Sequence, residues 1–211
     1  MKKIMFNDKF ALTQAVLDGR KTMTRRMVVL PDKWHGIDVY GFSYVKGETA
    51  LTLLDGDDFI IEDHATRQIG QILPTYKNKE EVAVAQCYED AILDVGEEEW
   101  NKRHKWYCIE NLRKRAGLHN KMFVKADLMP YRIKITDIKV ERLQDISDED
   151  CLKEGIFFYN CGIDYGYTFN GIREKYDNPR DAFAVLIDKV SGKGTWESNP
   201  WVFAYTFELV K

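Results

Sequence analysis

The sequence predicts an α+β fold on a mixed or antiparallel sheet that can close on itself. Two segments carry most of this reading. Arg132 to Val140 (RIKITDIKV) and Pro200 to Val210 (PWVFAYTFELV) each alternate along their length, the period of a strand with distinct faces. The third observation is order. The patterns run strand, helix, many strands, a helical segment, a long strand, helices and a final strand. They lack the regular βαβ alternation of a parallel α/β protein.

Each element has a local cause. Lys3 to Phe6 reads as a short strand. Asn7 or Asp8 then caps a helix carrying Phe10, Leu12, Val16 and Leu17, because their side-chain oxygens accept from free amides of the first turn. Gly19 stops it, since glycine tolerates the left-handed conformation at helix ends. Residues 37–62 read as β, with Asp55-Gly56-Asp57 turning the chain so that Phe59 to Ile61 pairs back. Glu81 to Tyr88 (EVAVAQCY) reads as a buried strand. Residues 89–120 are highly charged with irregular helical spacing and predict an inserted, mostly surface, helical segment within a single domain spanning 1–211. Lys121 to Val140 returns to β, with a bulge near Thr136-Asp137. Ser147 and Asp150 have capping-box spacing at the head of a helix that ends at Gly155. Asn178-Pro179 opens a last main helix, with Ala182, Phe183, Val185, Leu186, Ile187 and Val190 on its apolar side and Gly192 after it.

Composition bounds the function. Hydrophobic residues are 45% of the chain and charged residues 31%, which excludes intrinsic disorder. The pI near 5.9 excludes a uniformly basic surface, so any affinity for nucleic acid has to come from a local patch. The apolar runs are too short to span a bilayer, and the N-terminus lacks the apolar core of a signal peptide. Cys87, Cys108, Cys151 and Cys161 have no CxxC spacing, and the four histidines are scattered. These features predict a cytoplasmic protein with free thiols, no metal, no cofactor and no membrane partner.

One stretch stands apart. Gly19 to Val29 (GRKTMTRRMVV) sets Arg20, Lys21, Arg25 and Arg26 around Thr22 and Thr24 without an acidic residue, in a chain of net charge -3. Lys21 and Thr24 are three residues apart. In a tight loop or one turn of helix, that spacing brings an ammonium near a hydroxyl. A threonine is a useful nucleophile only with a base beside it, and lysine is a base only when burial or nearby cations lower its pKa. The same residues fit a plainer role. Cations after a helix end complement the helix dipole, and threonine favours strands. The basic residues of 102–105 and 113–115 read as a solvated face balanced by Glu97 to Glu99.

GRKTMTRR after a short first helix resembles the ASCH domain, a branch of the PUA-like superfamily. Arg132 to Phe157 (RIKITDIKVERLQDISDEDCLKEGIF) resembles the strand, turn and short helix of phage- and prophage-type ASCH proteins, and PWVFAYTFEL resembles their closing strand. The resemblance departs at 30–80 and 89–120. It implies a small pseudo-barrel with flanking helices, and a cleft that binds RNA, a nucleotide or a modified nucleoside. Small bacterial relatives with a similar GRKTxTxR segment hydrolyse N4-acetylcytidine. Matched residue by residue, their lysine falls on Lys21, their nucleophilic threonine on Thr24 and their catalytic glutamate on Glu154. The flanking ligand contacts then fall to Arg20, Thr22, Arg25 and Arg26. Trp196, in the loop GKGTWESNP, is a further candidate for stacking on a base. Two other readings stand beside this one: a non-catalytic phage or prophage accessory protein acting through protein contacts, and a ribonuclease, although no histidine pair supports the latter.

Overall fold

The central sheet of the computed structural model, which describes residues 1–170 and 172–210, draws its strands from the whole chain. First come β1 (Lys3–Ile4), a 3₁₀ turn, α1 (Leu12–Leu17) and β2 (Met23–Met27). Short strands fill the next stretch. β3 (Lys33–Trp34) pairs with β4 (Ile37–Asp38), and β5 (Gly41–Tyr44) with β6 (Leu51–Leu54). β7 (Glu62–Asp63) pairs with β8 (Gln68–Ile69), and β9 (Gln71–Ile72) with β6. β10 (Glu81–Val84) precedes the helices α2 (Tyr88–Val95), α3 (Glu97–Arg103) and α4 (Ile109–Leu112). The remainder comprises β11 (Arg132–Arg142), α5 (Asp148–Lys153), the hairpin β12 (Phe157–Cys161) and β13 (Asp164–Thr168), α6 (Pro179–Ser191), α7 (Thr195–Ser198) and β14 (Trp201–Val210).

The main sheet runs β1-β10-β11-β14-β2. Only β1 and β10 are parallel, so the sheet is mixed and the protein is α+β. Among the described residues no ladder joins its outer strands, β1 and β2. One link crosses between those edges: Arg26 Nη2 donates to the Met5 carbonyl at 2.6 Å.

β11 shows how the sequence sets the register. Ile133 and Ile135 face the core, but the next apolar residue is Ile138, three positions on. The pairing with β14 slips between Ile135 and Asp137, and this extra residue returns Ile138 and Val140 to the buried face. β10 divides its residues between two cores. Val82 and Val84 join the main core, while Ala83 and Ala85 pack beneath Tyr88, Trp100 and Leu112 of the helical segment. The segment 89–120 is mostly exposed, as expected, but it also carries a small core of its own. Trp100 is 1% exposed, and the small Ala83 on β10 and Ala85 just after it let its cluster approach the sheet. Gly117 is part of this packing, because a Cβ there would lie 2.6 Å from Tyr88 Cε2. Gly117→Ala is expected to destabilise the protein by about 1–3 kcal/mol, read as a lower midpoint in urea unfolding.

Two other expectations change. Residues 121–128 form two 3₁₀ turns rather than strand, the first capped by the Asn120 side chain. Phe59 to Ile61 does pair back as expected, through the antiparallel Leu54–Ile60 bridge and the backbone bonds from the Asp55 amide to Phe59 and from the Ile61 amide to Leu53. The Asp55 carboxylate accepts from the Asp57 and Phe59 amides and widens the turn. The β12–β13 hairpin lies where no strand was predicted. Asn178 caps α6 as expected, its Oδ1 accepting from the Asp181 amide at 2.8 Å. All four cysteines are free thiols.

Candidate functional site

Gly19, at φ +74°, ends the turn after α1 and redirects the chain. Three backbone bonds then fix the basic motif. The Lys21 amide donates to the Ala15 carbonyl at 2.8 Å, the Thr22 amide to Lys153 at 2.9 Å, and the Phe207 amide to Thr22 at 2.9 Å. β2 is thereby held between β14 and the end of α5. Lys21 precedes that strand, so the expected helical or tight-loop proximity of Lys21 to Thr24 gives way to strand geometry.

On the other side, Ser147 Oγ accepts from the Asp150 amide at 3.2 Å and starts α5. Glu154 is the residue that closes this helix, and Gly155 follows at φ +106°. A Cβ on Gly155 would press on Leu12 Cδ2 at 3.3 Å and meet the Lys21 stem at ordinary contact distance, 3.7 Å from Cδ. Lys21 Nζ donates to the Glu154 carbonyl at 2.7 Å and to its Oε2 at 2.6 Å. Both side chains are buried, with 2% and 6% exposure.

Arg25 extends the pair into a network. Its Nη1 meets Glu154 Oε1 at 3.2 Å, its Nη2 meets Glu141 Oε1 at 2.6 Å, and the same nitrogen meets Asp150 Oδ2 at 3.3 Å. Lys153 adds a contact to Asp150 Oδ1 at 3.0 Å. Burial is the largest influence on Lys21 and pushes its pKa below the ordinary lysine value. Glu154 opposes this through charge and hydrogen bond, and the Arg26 and Arg25 charges reinforce it. Burial works against Arg25 as well, but Glu154, Glu141 and Asp150 outweigh it and raise the guanidinium above its usual value. Asp150 is likewise penalised by burial, yet Lys153 and Arg25 hold its carboxyl below the usual range.

Lys21, Thr24, Arg25, Arg26 and Glu154 all line one cavity of about 180 Å³. Thr24 sits in β2 opposite Tyr205 and is 5% exposed. The hydrogen bonds of Lys21 and Arg25 go to Glu154, Glu141, Asp150 and the Met23 sulfur, and none goes to the Thr24 hydroxyl.

The other candidates lie elsewhere. Arg20 is exposed and pairs with Asp18 at 2.9 Å. Thr22 is a backbone anchor outside the lining. Trp196 lies across α6, its ring 6.1 Å from Phe183 and its amide donating to Asp188 Oδ1. It reaches the cavity only through Phe183, which does line it. Sequence reasoning did not assign Glu141 or Asp150 to the site, nor Phe183, Leu186, Ile187 and Val190 of α6. The α6 residues do carry a signal, the spacing i, i+3, i+4, i+7, but that pattern also describes an ordinary core face.

No group of three or more histidine, cysteine or carboxylate side chains among the described residues is arranged to hold a metal ion. No described helix is long and apolar enough to cross a membrane. Comparison with protein-family models, with curated proteins and with solved structures gives no significant match.

Proposed function

We propose that this chain is an ASCH-type protein of PUA-like fold that binds a nucleoside-type small molecule in the Lys21–Thr24–Glu154 cavity and hydrolyses the amide of an acylated nucleobase. The observation that carries this reading is the convergence of residues 133 positions apart, Lys21 and Glu154, on one small cavity that also contains Thr24. The chemistry follows from their states. Lys21, its pKa lowered by burial, takes the Thr24 hydroxyl proton as Oγ attacks the acyl carbon. The carbon–nitrogen bond breaks, and the lysine proton goes to the leaving exocyclic nitrogen. Water then cleaves the threonyl ester, releasing the carboxylic acid and restoring the hydroxyl. Glu154 holds the ammonium form of Lys21 between these transfers. The test is release of the acyl acid from N4-acetylcytidine and related acylated nucleosides by the wild-type protein. No release from any of them would remove the hydrolytic reading.

The ion pairs favour a small, uncharged ligand over an RNA chain. Arg20 faces Asp18, while Lys21 and Arg25 face buried carboxylates. Arg26 alone among the motif's cations pairs with no carboxylate among the described residues. Ligand affinity is therefore expected to change less than about twofold between 50 and 200 mM salt, where a protein making many phosphate contacts loses about 10³-fold or more. A steep loss with salt in a titration with RNA would favour RNA as the ligand.

A further inference from the structure

Resting on that reading, we propose that the cavity is built for an aliphatic acyl arm longer than acetyl, read by the α6 face. The reactive groups and the apolar wall come from different elements. Lys21 precedes β2, Thr24 lies in it and Glu154 closes α5, whereas Phe183, Leu186 and Ile187 of α6 line the same space together with Val190. These four recur at i, i+3, i+4 and i+7 and so form one stripe along the helix. Their exposure rises along it, from 1% at Phe183 through 3% and 8% to 38% at Val190. The stripe thus runs from a closed floor to an open rim.

None of the four carries a polar side-chain atom. Ser191, at the helix end, is the one polar α6 residue in the lining. A surface of this kind cannot recognise a sugar or a phosphate by hydrogen bonds. Beside a short acetyl group the rim of the stripe, at the 38% exposed Val190, stays in water. A hydrocarbon arm covers it, and each methylene placed there removes apolar area on both sides from solvent. The polar end of the same ligand, its amide, then lies at the Thr24 hydroxyl and the Lys21 side-chain nitrogen. The inferred substrate class is a medium-chain N-acyl amide whose nitrogen belongs to a nucleobase.

Binding to the Thr24→Ala protein tests this without turnover. Two series are titrated calorimetrically: N4-acylcytidines and N-methyl acylamides, each with acetyl, butyryl and hexanoyl arms. Affinity in both is expected to rise about fourfold per added methylene until the wall is covered, the change that matches burial of one CH₂. Val190→Asp, at the exposed rim, is expected to flatten that dependence, and Val190→Met to keep it, with melting curves confirming that both variants fold. Chain-length dependence in the acylamides without binding of any acylcytidine would keep the aliphatic wall and overturn the nucleobase reading. Affinity that is flat across both series, or a slope that Val190→Asp leaves intact, would overturn the inference.

Discussion

Thr24→Ala is expected to lower kcat for acyl-nucleoside hydrolysis by on the order of 10⁴-fold or more, because it removes the nucleophile on which the covalent route depends. Lys21→Met should cost about 10²- to 10⁴-fold, the range for a general base. The pH profile separates a base from a structural lysine. Burial lowers the Lys21 pKa, so its neutral amine accumulates at lower pH than in an ordinary lysine. In the wild type, kcat/KM should rise with pH and level off below 10.5, the ordinary lysine value. Glu154 raises the Lys21 pKa through its charge and hydrogen bond. Glu154→Gln should therefore shift that rising limb towards acid. A limb that stays in place, or a Lys21→Met protein with wild-type turnover, would remove Lys21 from the chemistry.

The second large effect is on stability. Glu154→Leu leaves two cations, Lys21 and Arg25, facing a side chain that can no longer balance them. Breaking a buried pair in this way costs about 3–5 kcal/mol. Arg25 keeps Glu141 and Asp150, so the main loss falls on Lys21. Adding Lys21→Met to Glu154→Leu should recover much of the stability, since an apolar pair of similar volume avoids the desolvation of both charges. The double-mutant cycle by urea unfolding reads this coupling, and simple additivity would show that the two side chains do not form one unit. Acid should act through Asp150. Its pKa is held below 3.8, so its contribution is complete above that value and is lost as pH falls through the lowered one.

Much of the local structure was legible because its causes are local. The end of α1 at Gly19, the Ser147 and Asn178 caps, the proline at the head of α6 and the bulge in β11 depend on residues a few positions apart. The errors had a different origin. Residues 121–128 have strand-like composition but form 3₁₀ turns, and the β12–β13 hairpin went unpredicted. Tyr88, expected at the end of a buried strand, instead heads α2, and the charged segment after it concealed Trp100; both are buried by packing against Ala83 and Ala85.

The sequence alone determined the α+β class and the position of the basic motif beyond a helix stop. Resemblance, rather than residue pattern, singled out Lys21, Thr24 and Glu154 as the reacting groups. Only the tertiary structure decided that Lys21 and Arg25 are buried on carboxylates, that Arg20 and Trp196 stand apart, and that α6 contributes the apolar wall. The physical reason is that burial and charge pairing are set by contacts between distant segments. A run of cations reads the same in sequence whether water surrounds it or Glu154, Glu141 and Asp150 do.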